Sequence, residues 1–430
     1  MNKDSTLDLA RLAAMDVTHS SRLLKGVREA TLSGLRPRVR PRPVIGDSWQ
    51  RMLRDGVDPD YDVHSGVLTA EQLEEKRQAS PLVPLLPMLR EALVTVADAT
   101  QHIMVISDAD GRILWREGHH GVLRMADRLG LTLGAHYAED VVGTNGIGTP
   151  LVTRRPVQVF SAEHFVQSLH PWMCTGAPVK DPRDGRLLGV VDISGPLDTM
   201  HPATLPWVYS VAQLAEARLR EQWQGGLERL RSVAAPVLAR MSGRALAVDP
   251  FGWTAAVTGM PPVDRVALPK SLAEGCCWVP ALGACSVTPL PGGWLLMVDE
   301  EPRTLGATRI ALDVRRPRRW SLEVSGAAAT WTHELSPRHA ELLYVLALHP
   351  AGRSASALAE DLFGDPTRTV TVRAEMSRVR RYLGPLLAHR PYRFADDADV
   401  AVLLPDDPRD LLPHSVAPAV VAARAAGSGL

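Results

Sequence analysis

The chain has 430 residues, 45% of them hydrophobic, and its 48 basic and 48 acidic side chains cancel. That length supports two to four separately cored domains. A balanced charge excludes a protein that grips polyanions with its whole surface, but leaves room for one basic module.

The N-terminus is polar and no apolar run reaches ~18 residues, so neither a signal peptide nor a membrane span is expected. Cys174, Cys276, Cys277 and Cys285 are too few for a disulfide scaffold, and none stands in a zinc-ligand spacing. A reducing cytoplasm, no metal and no cofactor are the expectation.

Residues 1–80 read as a polar helical region and linker. Arg36, Arg38, Arg40 and Arg42 interleave with Pro37, Pro41 and Pro43, so this stretch should be extended and solvated. In IGDSWQRMLRDGVDPD, Asp47 or Ser48 is the expected cap of a short helix that Gly56 and Pro59 stop.

Residues 81–224 read as mixed α/β. A leucine-rich helix over 82–96 leads into two apolar runs flanking Asp108-Ala109-Asp110-Gly111, a predicted β-hairpin. A second hairpin is expected around Asp184-Gly185. Between them stand a helical stretch at 121–129 and the glycine-rich GTNGIGT, and an amphipathic helix over 202–223 closes the unit. The pattern predicts an antiparallel sheet with helices packed on it. Residues 235–330 read as a small β-rich domain of unassigned role. The Ala-, Pro- and Asp-rich tail, 397–430, is expected to be disordered.

Residues 331–396 carry the clearest chemistry. Ser336-Pro337 is a helix start, Ser354 a second cap, and Gly364-Asp365-Pro366 a stop. A third helix runs from about Thr369 to Leu383. Its Val372, Met376, Val379 and Leu383 form one apolar stripe, and its other face presents Val370, Arg373, Ala374, Ser377, Arg378 and Arg381, with Arg380 on the flank. Glu375 is the one acid between Thr367 and Arg393, against seven arginines. Such a helix fits a DNA major groove, where arginine donates to guanine or holds phosphate. Arg390-Pro391-Tyr392-Arg393-Phe394 reads as a basic strand.

TVRAEMSRVRRYL followed by PYRF resembles the winged helix-turn-helix of response-regulator output domains, over about 60 residues. The resemblance implies base or phosphate contacts from Arg373, Ser377 and Arg378. Their neighbours Arg368, Thr371, Arg380, Arg381 and Arg393 complete the expected DNA-binding set. GTNGIGT, PVQVFSAEHF, HPWMCTGAPV and GRLLGVVDISG resemble, in that order, the GAF domains of bacterial acetoin-operon-type regulators, which implies a ligand-sensing domain. Thr144, Asn145, Gly146, His164, Trp172 and Cys174 are the candidate effector contacts. His164, His170 and Cys174 lack the spacing of a coordination site. Many regulators of that type carry an AAA+ ATPase, but the GK[ST] of a Walker A loop is missing here, so ATP-driven activation is not carried over.

The expectation is an α+β multidomain protein: a GAF domain, a small β-rich middle domain and a C-terminal winged helix-turn-helix. It would be a non-enzymatic transcription regulator with double-stranded DNA, an unknown small-molecule effector, a second copy of itself and RNA polymerase as partners. The alternative is a signalling adaptor that binds protein rather than DNA.

Overall fold

A computed structural model describes residues 6–427 except 62, 65, 200, 270, 271, 280, 281, 300–307, 318, 326–329 and 397, and without the side chains of Ala13, Thr308, Thr330, Arg381 and Pro385. The chain divides into two compact units, Met1–Trp223 and Gln224–Leu430. Both mix helices with predominantly antiparallel sheets, as an α+β multidomain protein should.

The first unit begins with α1 (Leu9–Ala13), α2 (Val17–Leu32), α3 (Pro43–Asp55) and α4 (Ala70–Ala79). Asp8 and Asp16 cap α1 and α2, and the left-handed Gly56 ends α3 as its sequence predicts. Ser48 is no cap, because α3 starts a turn earlier, at Pro43. A helical run follows through α5 (Leu86–Leu89), a π segment Arg90–Val94 and α6 (Thr95–Ala99). The sheet comprises β1 (Ile103–Asp108), β2 (Ile113–Gly118), β3 (Val157–Phe160), β4 (Trp172–Lys180) and β5 (Leu187–Pro196) in the order β2-β1-β5-β4-β3, all antiparallel. Between β2 and β3 lie α7 (His120–Arg128), α8 (Glu139–Val142) and α9 (Gly148–Thr153), and α10 (Thr204–Leu238) follows β5.

Both sheet faces are covered. Leu82, Leu86, Leu89 and Leu93 join Val208, Val211 and Ala215 of α10 against Met104, Ile106, Val191 and Ile193. On the other face Val122, Tyr137, Val142 and Leu169 cover Ile103, Val105, Trp172, Cys174 and Val190. The N-terminal region is not a solvated linker. Leu7, Leu24, Val27, Val39, Ile45, Trp49 and Met52 share a core with Val157, Val159, Phe160 and Met173. Arg42, expected in solvent, is 7% exposed and bonded to Glu163. Apolar side chains between the prolines supply the burial, and Glu163 supplies the counter-charge that makes a buried arginine tolerable.

The second unit contains β6 (Ala245–Val248), β7 (Thr254–Thr258), β8 (Gly275–Val279), β9 (Gly283–Leu290) and β10 (Gly293–Val298), a sheet of order β7-β6-β10-β9-β8. The expected β-rich domain is narrower than 235–330. The strands β11 (Thr308–Arg316), β12 (Arg319–Ser325) and β13 (Thr330–Leu335) belong to a separate sheet of order β13-β12-β11-β16, with β16 (Ala398–Leu403) parallel to β11. This sheet shares one core with α11 (Pro337–Leu348), α12 (Ala355–Phe363), α13 (Thr369–Leu383) and α14 (Pro418–Ala426). The described part of the tail is therefore ordered, against expectation. Its strand completes a sheet edge, and Leu411, Leu412, Ala417 and Val420 are buried. Alanine-rich composition hid an amphipathic helix that needs another surface to fold on.

Candidate functional site

Two places concentrate chemistry. One lies in the first unit, where all six candidate effector residues are buried. Asn145 staples its own loop: its amide donates to Tyr137 O (3.1 Å) and Gly143 O (2.7 Å), and its Oδ1 accepts from the Ile147 and Gly148 amides, both at 2.8 Å. Thr144 meets the Ser48 hydroxyl at 2.6 Å; Ser48 donates to Glu139 at 2.5 Å, and Arg51 makes two bonds to Glu139, both 2.9 Å. The loop is thus tied to α3.

Its glycines allow close packing. A Cβ on Gly146 would stand 2.3 Å from the Cys174 Cβ and 2.6 Å from Asp192 Oδ2, and one on Gly148 would stand 2.3 Å from Glu139 N. At Gly146 and Gly148, protein atoms occupy the place that a side chain would take. Gly148→Ala is therefore expected to cost about 1–3 kcal/mol, because backbone rather than a flexible side chain must yield. A urea melt of the full chain checks this.

Asp192 on β5 is the residue that the sequence pattern did not single out. It is 1% exposed and shares a sheet face with Cys174 and Ser194. The Ser194 hydroxyl donates to its Oδ1, while Oδ2 has no hydrogen-bond partner among the described residues. Trp172 Nε1, His164 Nε2 and Ser107 Oγ are likewise buried without one. Burial pushes Asp192 up to about 7. Burial, then the Asp192 charge, raises the Cys174 thiol well above its ordinary value, so it is no thiolate nucleophile. Burial lowers His164 to about 3 and His170 to about 4, leaving both neutral.

These shifts set a pH dependence. Folded Asp192 keeps a proton that the unfolded chain releases near pH 4, so its contribution to stability is lost as pH rises from about 4 to about 7. The histidines act oppositely: their contribution is lost as pH falls below about 6.5. Asp192→Asn should remove only the first effect. Its melting temperature minus that of the parent should rise between pH 4 and 7 and then stay level. A flat difference curve would contradict the buried acid.

The second place is a cleft of about 870 Å³ between α13, the start of α12 and a short hairpin. The hairpin is β14 (Leu387–His389) with β15 (Tyr392–Phe394). Ser336 and Ser354 cap α11 and α12 as predicted, and Val372, Met376, Val379 and Leu383 bury the inner face of α13. Arg353 exchanges backbone hydrogen bonds with Tyr392 (2.8 and 2.9 Å), fastening the hairpin to α12. Gly352, at φ +92°, permits this approach, since a Cβ there would meet Pro391 at 2.6 Å.

The predicted DNA contacts divide by occupancy. Arg373 and Ser377 are exposed in the cleft. Arg368 is exposed and lies 4.4 Å over the Phe363 ring, and Thr371 is half-buried. Arg378 is paired with Glu375, Arg380 donates to Ala388 O at 2.9 Å, and Arg393 is paired with Asp396. The side chain of Arg381 lies outside the described residues. Arg353, His389 and Arg390 line the cleft too. Only the fold brings them beside α13, though the basic run around Arg390 was visible.

Comparison with known proteins bears on the first unit most directly. Residues 27–218 match the family model described as MimR, N-terminal domain. The acetoin dehydrogenase operon transcriptional activator AcoR of Bacillus subtilis is 34% identical over 188 residues, 43% of this chain and 31% of that protein. The propane 2-monooxygenase operon transcriptional activator MimR of Mycolicibacterium smegmatis is 32% identical over 179 residues, 40% of this chain and 29% of its own length. A 47.3 kDa protein from the thcA 5′ region of Rhodococcus erythropolis is 31% identical over 353 residues, 82% of this chain and 63% of that one. The chain thus spans under two thirds of each of these relatives. Among solved structures, the E. coli DhaR(N)–DhaL complex aligns with a TM-score of 0.41 at 18% identity, over 60% of this chain and 100% of that one. Among the described residues no helix is long and apolar enough to cross a membrane, and no group of three or more His, Cys, Asp or Glu is placed to hold a metal.

Proposed function

We propose that the chain is a transcription regulator in which a GAF-type domain senses a small molecule and a C-terminal winged helix-turn-helix binds double-stranded DNA. The observation that carries this reading is the arginine-lined cleft beside α13, with Arg373 and Arg390 exposed and the apolar face of α13 wholly engaged in the core. Guanidinium groups on a rigid helix beside a hairpin suit a phosphate backbone and the groove edge.

The similarity to proteins named as operon transcriptional activators supports a regulator rather than an enzyme. The effector would lie on the sheet face of Trp172, Cys174 and Asp192, walled by Thr144, Asn145, Gly146 and His164. The unpartnered Trp172 Nε1, Asp192 Oδ2 and His164 Nε2 favour a ligand that hydrogen-bonds there. A coupling of ~1–3 kcal/mol between effector and DNA would change operator occupancy several-fold or more. We also propose a cytoplasmic homodimer that touches RNA polymerase. The exposed Tyr209 (42%) and Leu214 (52%) on α10 offer apolar surface to a second copy.

Mapping the genomic fragments retained by the full-length protein across a salt series tests the reading. Discrete sites with a steep salt dependence are expected, the slope rising with each phosphate engaged. A protein-binding adaptor would retain no duplex.

A further inference from the structure

The one acid on α13 is held from behind by a histidine. Glu375 pairs through Oε1 with Arg378, and its Oε2 lies 3.2 Å from Nε2 of His339 on α11. The other ring nitrogen, Nδ1, stands 3.0 Å from the Tyr382 hydroxyl. Burial, then the Glu375 charge, pushes that phenol above its ordinary value, so it remains a hydroxyl able to donate to Nδ1. A neutral ring that accepts at Nδ1 carries its proton on Nε2, where it donates to Glu375. The side chains of His339 and Glu375 are 16% and 14% exposed; that of Arg378, at the outer end of this chain, is 55% exposed.

The arrangement accommodates two states of the ring. Once protonated, His339 donates from Nδ1 to the Tyr382 oxygen, whose hydrogen turns away, and its Nε2–H meets Glu375 as a full ion pair. Two cations then share one carboxylate. Among the described residues, two further groups beside this chain are placed as follows. His333 of β13 stacks on Tyr382 at 4.3 Å, and burial, then His339, lowers its pKa against the opposing effect of Glu334. On α11 itself, Arg338 is paired with Glu341 at 2.7 Å.

We propose that His339 is a positioning residue for the DNA-contacting helix. Neutral, it leaves Glu375 to neutralise Arg378; protonated, it draws the carboxylate away and releases Arg378 to an external phosphate. This rests on the DNA-binding reading above.

The test is the affinity of full-length protein for a labelled mixed-sequence duplex at fixed ionic strength, from about pH 8 to about pH 5.5, the range in which imidazole titrates. His389 is exposed in the cleft and would add its own pH dependence, so His389→Gln serves as the parent. The parent should gain roughly two- to fivefold in affinity on acidification, the range of one partly exposed ion pair. His339→Gln should abolish that slope. Glu375→Gln should bind at pH 8 as tightly as the parent does at pH 5.5, with a flat profile. A merely structural His339 would weaken binding equally at every pH. A slope that survives His339→Gln, a flat parent, or a Glu375→Gln variant that stays weak at pH 8 overturns the relay alone. A parent that retains no duplex at any pH overturns the DNA reading and the relay with it.

Discussion

Replacing Arg373 and Arg390 together by alanine is expected to abolish duplex retention at physiological salt while the melting temperature moves by no more than a few degrees. Both side chains are exposed in the cleft, one from α13 and one from the hairpin turn, and neither belongs to the buried core. Surface substitutions of this kind usually change stability by less than about 0.5 kcal/mol. Each phosphate that an arginine no longer holds should lower the log–log salt slope by roughly one unit. Arg380→Ala is the instructive comparison. It donates to Ala388 O and lies 5.8 Å from the Tyr392 ring centroid, so its loss should loosen the hairpin as well as the interface. Duplex binding unchanged in the double variant would remove this cleft as the reader.

The other large effect lies in the first unit. Glu163→Ala is expected to destabilise the protein by about 3–5 kcal/mol, the cost of leaving a buried charge unpaired. Arg42 reaches Glu163 through Nε at 2.8 Å and Nη2 at 2.5 Å and also donates to Gln158 O. Glu163 further accepts from the Phe160 amide at 3.0 Å, and its carbonyl accepts from Trp49 Nε1 at 3.0 Å. Removing the carboxylate strands the guanidinium between α3 and the sheet. An Arg42→Met, Glu163→Leu double variant should recover much of the loss, because neither charge then has to be buried. Urea melts followed by tryptophan fluorescence include this region in their signal, since Trp49 and Trp172, two of the chain's ten tryptophans, are both fully buried. A double variant as unstable as Glu163→Ala would show that packing, not the unpaired charge, sets the cost.

Local signals were reliable where they acted over a few residues. Ser336 and Ser354 cap the helices their sequence announces, and Gly364 stops α12 in a left-handed conformation. Spacing of four, three and four placed Val372, Met376, Val379 and Leu383 on one buried face. The Asp-Gly turns marked both hairpins of the first sheet, which form as antiparallel pairs. Each of these depends on backbone chemistry that adjacent residues decide.

Partnerships across the fold were not legible. Arg42 and Glu163 stand 121 positions apart, as Ser48 and Thr144 stand 96 apart, so nothing local distinguishes these residues from solvated ones. Asp192 did leave a trace, as one carboxyl in the apolar run Val190, Val191, Ile193. Strand alternation leaves open whether such a residue faces water; here both sheet faces are covered, and the acid is buried.

By itself the sequence determined the helix starts and stops, the two hairpins and the basic character of α13, because caps, turns and periodicity are short-range. Only tertiary structure decided that the arginine-proline segment docks on the first unit's sheet, that the described tail joins the C-terminal core, and which of the α13 arginines are engaged. Burial and pairing depend on what a distant segment brings, and α13 shows both levels at once. The sequence around it shows seven arginines and one acid over Thr367 to Arg393, four of those arginines on α13 itself, whereas the fold engages Arg380 with Ala388, pairs Arg378 with Glu375, and leaves Arg373 open in the cleft.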